Sequence, residues 1–151
     1  MGSRDGRDRL QAGPLPGFAE PFDSSGLALL RGEVAAHGDR LGLPTERLSD
    51  LLLVAHEMAS NAIQHGGGHG RLHLWCQDGV VYCRVADSGP GFSTALRLGV
   101  RAPATGAQRG RGLWLIRQLS DEVDIQTGPG GTVVTIAMWL DGSLVEWEPT
   151  S

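Results

Sequence analysis

Arg47-Leu-Ser-Asp-Leu-Leu-Leu-Val-Ala-His-Glu57-Met-Ala-Ser-Asn61-Ala-Ile-Gln-His65 is the stretch from which the rest of this chain is read. Leu48, Leu51, Leu52, Ala55, Met58, Ala59, Ala62 and Ile63 recur at helical spacing, which predicts an amphipathic helix capped by Thr45. Residues four apart share a helix face, so Glu57 and Asn61 project side by side, with His65 one turn further on.

A carboxylate and a carboxamide oxygen facing one pocket suit a hard cation. Mg²⁺ takes one or two protein oxygens and fills its other positions with water and phosphate, and Asn61 fits that ligand role. A carboxylate one turn away can accept a proton during phosphoryl transfer, which makes Glu57 the candidate base. Such a pair taken alone is also the ordinary polar face of a helix. His65 has two readings, a reach towards phosphate or the lid, and a partner for the helix C-terminal dipole.

About 30 residues after Glu57, the predicted strand Val80-Val-Tyr-Cys-Arg-Val-Ala-Asp87 runs into Ser88-Gly89-Pro-Gly91-Phe92. Glycine at 89 and 91 lets the backbone turn and come close to a ligand. An ionised carboxylate only accepts hydrogen bonds and the exocyclic amine of adenine only donates them, so Asp87 is suited to choose adenine over guanine. Next, Arg109-Gly110-Arg111-Gly112-Leu113 reads as a glycine loop opening a helix, whose free N–H groups attract phosphate. Gly130-Gly131-Thr132 begins a last strand and brings the Thr132 hydroxyl to the base edge beside Asp87. Each segment alone is common turn or helix-entry chemistry. Their conjunction, each on the element type its chemistry needs, argues for one nucleotide site.

In this order the segments resemble the asparagine box, two glycine boxes and terminal Gly-Thr of the histidine-kinase-like ATPase superfamily, over roughly residues 20 to 141. Asn61-Ala-Ile-Gln-His65-Gly66, Gly112-Leu-Trp-Leu and Gly128-Pro-Gly-Gly-Thr132-Val-Val are most similar to the anti-sigma-factor serine kinase branch. The resemblance implies an α+β two-layer sandwich, with a mixed, mostly antiparallel sheet and three helices on one face. By position it implies ATP and Mg²⁺ as cofactors, with Glu57 as base, Asn61 on the metal, Asp87 and Gly91 at adenine, and Gly110 and Gly112 at phosphate.

The chain has 151 residues, 40% of them apolar, enough for one domain with one core. All 13 basic residues are Arg. A P-loop and a protein-kinase strand lysine are thereby excluded, since both depend on Lys. A net charge of −4 argues against a direct nucleic-acid binder. No apolar run reaches the ~18 residues of a transmembrane helix, and a charged N-terminus does not read as a signal peptide, so no membrane role and a cytoplasmic location are expected.

Residues 1–16 read as a disordered leader, 17–141 as the ATPase domain and 142–151 as a tail. A short strand near 17–22 precedes a helix capped by Asp23 or Ser24, bearing Leu27, Leu30, Val34 and Leu41 and ending at Gly42. A hairpin turns at Asp78-Gly79. Cys76 then faces Val81 and Cys83 faces Leu74, which leaves no disulfide or metal site. Further strands fall near 122–127 and 132–140.

Alternation sends Leu72, Leu74, Cys76, Val81, Cys83, Val85, Val134, Ile136 and Met138 under the helices. Trp75, Tyr82 and Trp139 go to the other face, which is either a homodimer or partner surface or the resting place of Val145 and Trp147 from the tail. The segment 93–111, with Arg97, Arg101, Arg109 and Arg111, reads as the ATP lid, and Arg109 and Arg111 are the preferred phosphate contacts.

The expected function is ATP-dependent phosphorylation of a serine or threonine on an antagonist protein, together with anti-sigma-factor activity through a sigma factor. The alternatives are a non-catalytic ATP-dependent interaction switch and a stand-alone histidine-kinase catalytic domain.

Overall fold

The structure, a computed structural model, describes residues 17–91 and 111–140. The expected leader and tail, most of the lid, Arg109 and Gly110 lie outside the described residues, as does the side chain of Arg111.

The elements in order are β1 (Phe18–Asp23), a 3-10 turn (Ser24–Gly26), α1 (Leu27–Arg40), α2 (Thr45–His65), β2 (His69–Gln77), β3 (Val80–Asp87), α3 (Arg111–Leu119), β4 (Glu122–Gly128) and β5 (Gly131–Trp139). The sheet order is β1-β2-β3-β5-β4, and each of these pairings is antiparallel. The expected mixed sheet is therefore antiparallel throughout its described strands.

Local chemistry sets the boundaries. The Asp23 carboxylate accepts from the N–H groups of Ser25 and Gly26, and so caps the 3-10 turn that leads into α1. The expected cap at Thr45 is a correction: Pro44, extended at φ −67° and ψ 159°, precedes the helix without a side-chain cap, and Thr45 is the first helical residue. Proline presets the backbone that enters a helix, so the entry does not need a hydroxyl. α1 stops at Arg40, two residues before the expected Gly42, which takes φ +102°. In the β2–β3 hairpin Asp78 and Gly79 both have positive φ, the combination whose twist matches the flanking strands. The resulting register puts Cys76 opposite Val81 and Leu74 opposite Cys83, as expected, and both thiols are free.

All three helices pack on one face of the sheet. Leu30 and Val34 of α1, Leu51, Val54 and Met58 of α2, and Leu113 and Ile116 of α3 meet Leu72, Leu74, Val81, Cys83, Val85, Val134, Ile136 and Met138 in one core. Removal of each large apolar side chain from water stabilises the fold by about 1.5–3 kcal/mol. Burial pushes the Cys83 thiol up to about 12.

On the opposite face Trp75 and Tyr82 stack with centroids 5.3 Å apart and are only 2% and 3% exposed, so of the two readings of this face the open aromatic surface does not hold for this pair. Beside it the buried Arg84 donates from Nε to Thr135 Oγ1 (2.9 Å) and lies 5.2 Å from the Trp75 ring. Val145 and Trp147 lie outside the described residues.

Arg47 fastens α3 to the rest. Its Nη1 donates to Asp50 Oδ2 (2.8 Å) and to the Leu119 carbonyl (3.0 Å), and its Nη2 donates to Asp121 Oδ2 (2.9 Å). That Asp121 oxygen also accepts the Trp139 N–H (2.8 Å). One guanidinium thus ties the start of α2 to the end of α3 and the end of β5.

Candidate nucleotide site

The helical spacing read from the sequence holds. Leu51, Val54, Ala55, Met58, Ala59 and Ala62 form the buried stripe of α2. Glu57 and Asn61 sit beside that stripe, both half-buried. Gly112, in the first turn of α3, is buried against them. A Cβ built there would fall 2.7 Å from Glu57 Oε1, 3.5 Å from Asn61 Nδ2 and 3.6 Å from Asn61 Oδ1. The absence of a side chain is what lets the N-terminus of α3 approach the pair, and the dipole of that turn presents N–H groups beside the Asn61 amide. Leu113 points the other way and is buried in the core. Any ligand contact it makes is through its backbone.

The second half of the site stands on the sheet. At the end of β3, Asp87 Oδ1 accepts from the Gly89 N–H (2.9 Å) and, across the strand pair, from the Thr132 N–H (3.3 Å). Two donors on one oxygen fix the orientation of the carboxylate. Its other oxygen lies against Gly66, where a Cβ would overlap Asp87 Cγ and Oδ2. Gly66 closes α2 through its N–H to the Ala62 carbonyl (2.8 Å), so the end of the Glu57 helix and the Asp87 carboxylate share one contact. Gly89 is buried on the His65–Gly66 backbone, with the His65 carbonyl 2.7 Å from where its Cβ would lie. His65 is the last residue of α2, half-buried beside this turn. Gly91, at φ +90°, approaches the β4 end, with its Cβ position 2.8 Å from Thr127 Oγ1.

Glu57, Asn61 and Gly112 therefore meet at one place, and Asp87, Gly89, Gly66 and Thr132 at a second, joined through the last turn of α2. Thr127 was not read from the sequence. It is the cross-strand partner of Thr132, and the two hydroxyl oxygens are 2.8 Å apart. The signal available was the hairpin itself: with Pro129-Gly130 as its loop, Thr127 falls opposite Thr132.

No helix among the described residues is long and apolar enough to cross a membrane.

Comparison with known proteins agrees with this geometry. A family model described as the histidine kinase-like ATPase domain matches residues 21–138. The serine-protein kinase RsbW of Bacillus pumilus (strain SAFR-032) is 30% identical over 132 residues, which cover 74% of this chain and 76% of that protein. The serine-protein kinase RsbW of Bacillus subtilis (strain 168) is 26% identical over 144 residues, 86% of this chain and 88% of that one.

Among solved structures, the RsbU and RsbW domains of a Mycobacterium tuberculosis protein superpose with a TM-score of 0.62 at 19% identity, over 84% of this chain and 32% of theirs. The histidine kinase domain of a blue-light activated histidine kinase from Erythrobacter litoralis EL346 gives a TM-score of 0.57 at 20% identity, over 83% of this chain and 65% of that one. The chain spans less than two thirds of either solved chain, and at these identities the likeness is one of fold. With its motifs assembled as described and the family model matched from residue 21 to residue 138, the chain belongs to the histidine kinase-like ATPase family.

Proposed function

We propose that this protein binds ATP with Mg²⁺, transfers the γ-phosphoryl group to a serine or threonine of an antagonist protein, and acts as an anti-sigma factor by holding a sigma factor. The observation that carries the reading is the convergence of Gly112 on Glu57 and Asn61, next to an Asp87 carboxylate fixed by Gly89 and Thr132. Asp87 accepts from the adenine amine and opposes the oxo group of guanine. The phosphates lie at the start of α3, where backbone N–H groups and the helix dipole favour them. Arg109 and Arg111 are the basic residues nearest in sequence to reach the γ-phosphate.

The donor set on α2 suits Mg²⁺, which asks for one or two protein oxygens rather than a full cage. Among the described residues no group of three or more His, Cys, Asp or Glu side chains could hold a metal instead. Bound at Asn61, Mg²⁺ would offset charge on the phosphate oxygens. Glu57, one turn away, takes the proton of the attacking hydroxyl. The name serine-protein kinase, carried by the Bacillus relatives, supports a hydroxyl acceptor.

The test is a calorimetric titration of ATP and GTP, each with Mg²⁺, into the wild type and into Asp87→Asn, followed by radiolabel transfer from ATP to an antagonist protein. ATP should bind and GTP should not, and the variant should bind ATP about 10–100-fold more weakly because it offers an amide donor to an amine donor. Failure of both nucleotides to bind would overturn the reading. Nucleotide-dependent partner affinity without transfer would assign the protein to non-catalytic switches.

A further inference from the structure

Asp87, Thr132 and Thr127 are consecutive cross-strand neighbours on β3, β5 and β4, and together they form the last row of the helix-covered sheet face. The preceding rows on that face are apolar, Leu72–Val85–Val134–Ile125 and Leu74–Cys83–Ile136–Val123. A polar row therefore ends an apolar face at the place where Asp87 meets Gly66. Thr132 is 2% exposed, so water does not compete well for its hydroxyl, and its partner there is Thr127 Oγ1 at 2.8 Å.

We propose that Thr127 is a specificity-determining positioning residue: its hydroxyl donates to Thr132 Oγ1 and so turns the Thr132 hydroxyl into a donor aimed at the ring nitrogen N1 of adenine. The inference rests on the nucleotide reading above. Two threonine hydroxyls in contact have one of two directions, and either oxygen could carry the donated hydrogen. The purine decides between them. In adenine the amine and N1 are adjacent, a donor beside an acceptor, so the complementary wall must read acceptor then donor. Asp87 supplies the acceptor, since an ionised carboxylate cannot donate. Thr132 must then donate, and its oxygen is free to accept from Thr127. A hypoxanthine or guanine edge, an acceptor beside an N–H, would require both positions to reverse. Asp87 cannot reverse. The chain Thr127→Thr132→N1 also strengthens each of its bonds by mutual polarisation in a site shielded from water.

The deciding experiment measures calorimetric dissociation constants for ATP and for 1-deaza-ATP, in which a C–H replaces N1, with wild type, Thr127→Val and Thr127→Ser. Wild type should lose about tenfold in affinity when N1 is removed, the effect of one buried hydrogen bond. Thr127→Val keeps the side-chain shape and removes the hydroxyl. It should weaken ATP by about three- to tenfold while leaving 1-deaza-ATP nearly unchanged, and Thr127→Ser should restore the wild-type pattern. Equal weakening of both nucleotides by Thr127→Val, or no rescue by serine, would overturn the inference while leaving ATP binding intact. Wild type that binds neither nucleotide would overturn the nucleotide reading, and this inference with it.

Discussion

Gly112 of α3 lies so close to Glu57 of α2 that a single added methyl group would stand 2.7 Å from the Glu57 carboxylate oxygen. No unstrained side-chain contact is that short, so Gly112→Ala must push either the candidate base or the start of α3 out of place. Displacement of a reacting group by about 1 Å costs up to ~10²-fold in rate. Phosphotransfer by Gly112→Ala should fall by about that factor, with a much smaller loss of thermal stability because Gly112 sits in a helix, where alanine is the better former.

Glu57→Gln retains the shape and hydrogen bonding of the side chain but cannot take a proton. Transfer to the antagonist should fall by about 10²–10⁴-fold, the usual contribution of a positioned base, while ATP affinity changes little. Radiolabel transfer and titration on the same preparation separate the two quantities. Comparable transfer by wild type and variant would remove Glu57 from this role.

Arg47 makes three hydrogen bonds, two of them to carboxylates, with a quarter of its side chain still exposed to water. Partial exposure moderates each contribution, and Arg47→Ala should destabilise the fold by about 1–2 kcal/mol. Asp121→Asn should cost less, because an amide oxygen still accepts from the Trp139 N–H. Denaturant midpoints of the two variants check the order.

Cys83 is fully buried and its thiol is pushed from 9.0 to about 12 by desolvation. A raised folded value means that the unfolded chain releases its proton first. The contribution to stability is complete below pH ~9 and is lost progressively as pH rises towards 12. In native protein a thiol reagent should modify Cys76 and spare Cys83, and both should react after unfolding. Rapid modification of two thiols without unfolding would contradict this burial.

His73 faces the opposite case. Burial, followed by the charges of Arg71 and Arg84, holds its imidazole below the ordinary value of 6.5. The unfolded chain therefore binds a proton before the folded one does, and stability present above pH ~6.5 declines as pH falls below it. His73→Gln should flatten this part of the stability profile, as measured by chemical denaturation from pH 5 to pH 8.

The elements governed by local chemistry were legible in the sequence. The hydrophobic stripe of α2, the Asp78-Gly79 turn and its register, and the inward set on β2, β3 and β5 all follow from periodicity and turn residues within a few positions of one another. The placement of the candidate site residues was legible to the same degree, since Glu57 and Asn61 share one helix and Asp87 ends one strand. What escaped depends on residues distant in sequence or on competition between local signals. Pro44 displaced Thr45 as the entry to α2. The Arg47 clamp joins groups 72 and 74 positions apart, which no local pattern encodes. Burial of Trp75 and Tyr82 could not be read from alternation, which distinguishes two faces without saying which of them meets solvent.

The same clamp bears on how the chain acquires its shape. Hairpins such as β2–β3 close over a few residues and form in microseconds, whereas the Arg47–Asp121 contact requires loop closure over half the chain. Such a contact belongs to the late side of the folding barrier. Its loss should accelerate unfolding while leaving the refolding rate nearly unchanged, so that Arg47 sets how long the assembled site persists rather than how fast it forms.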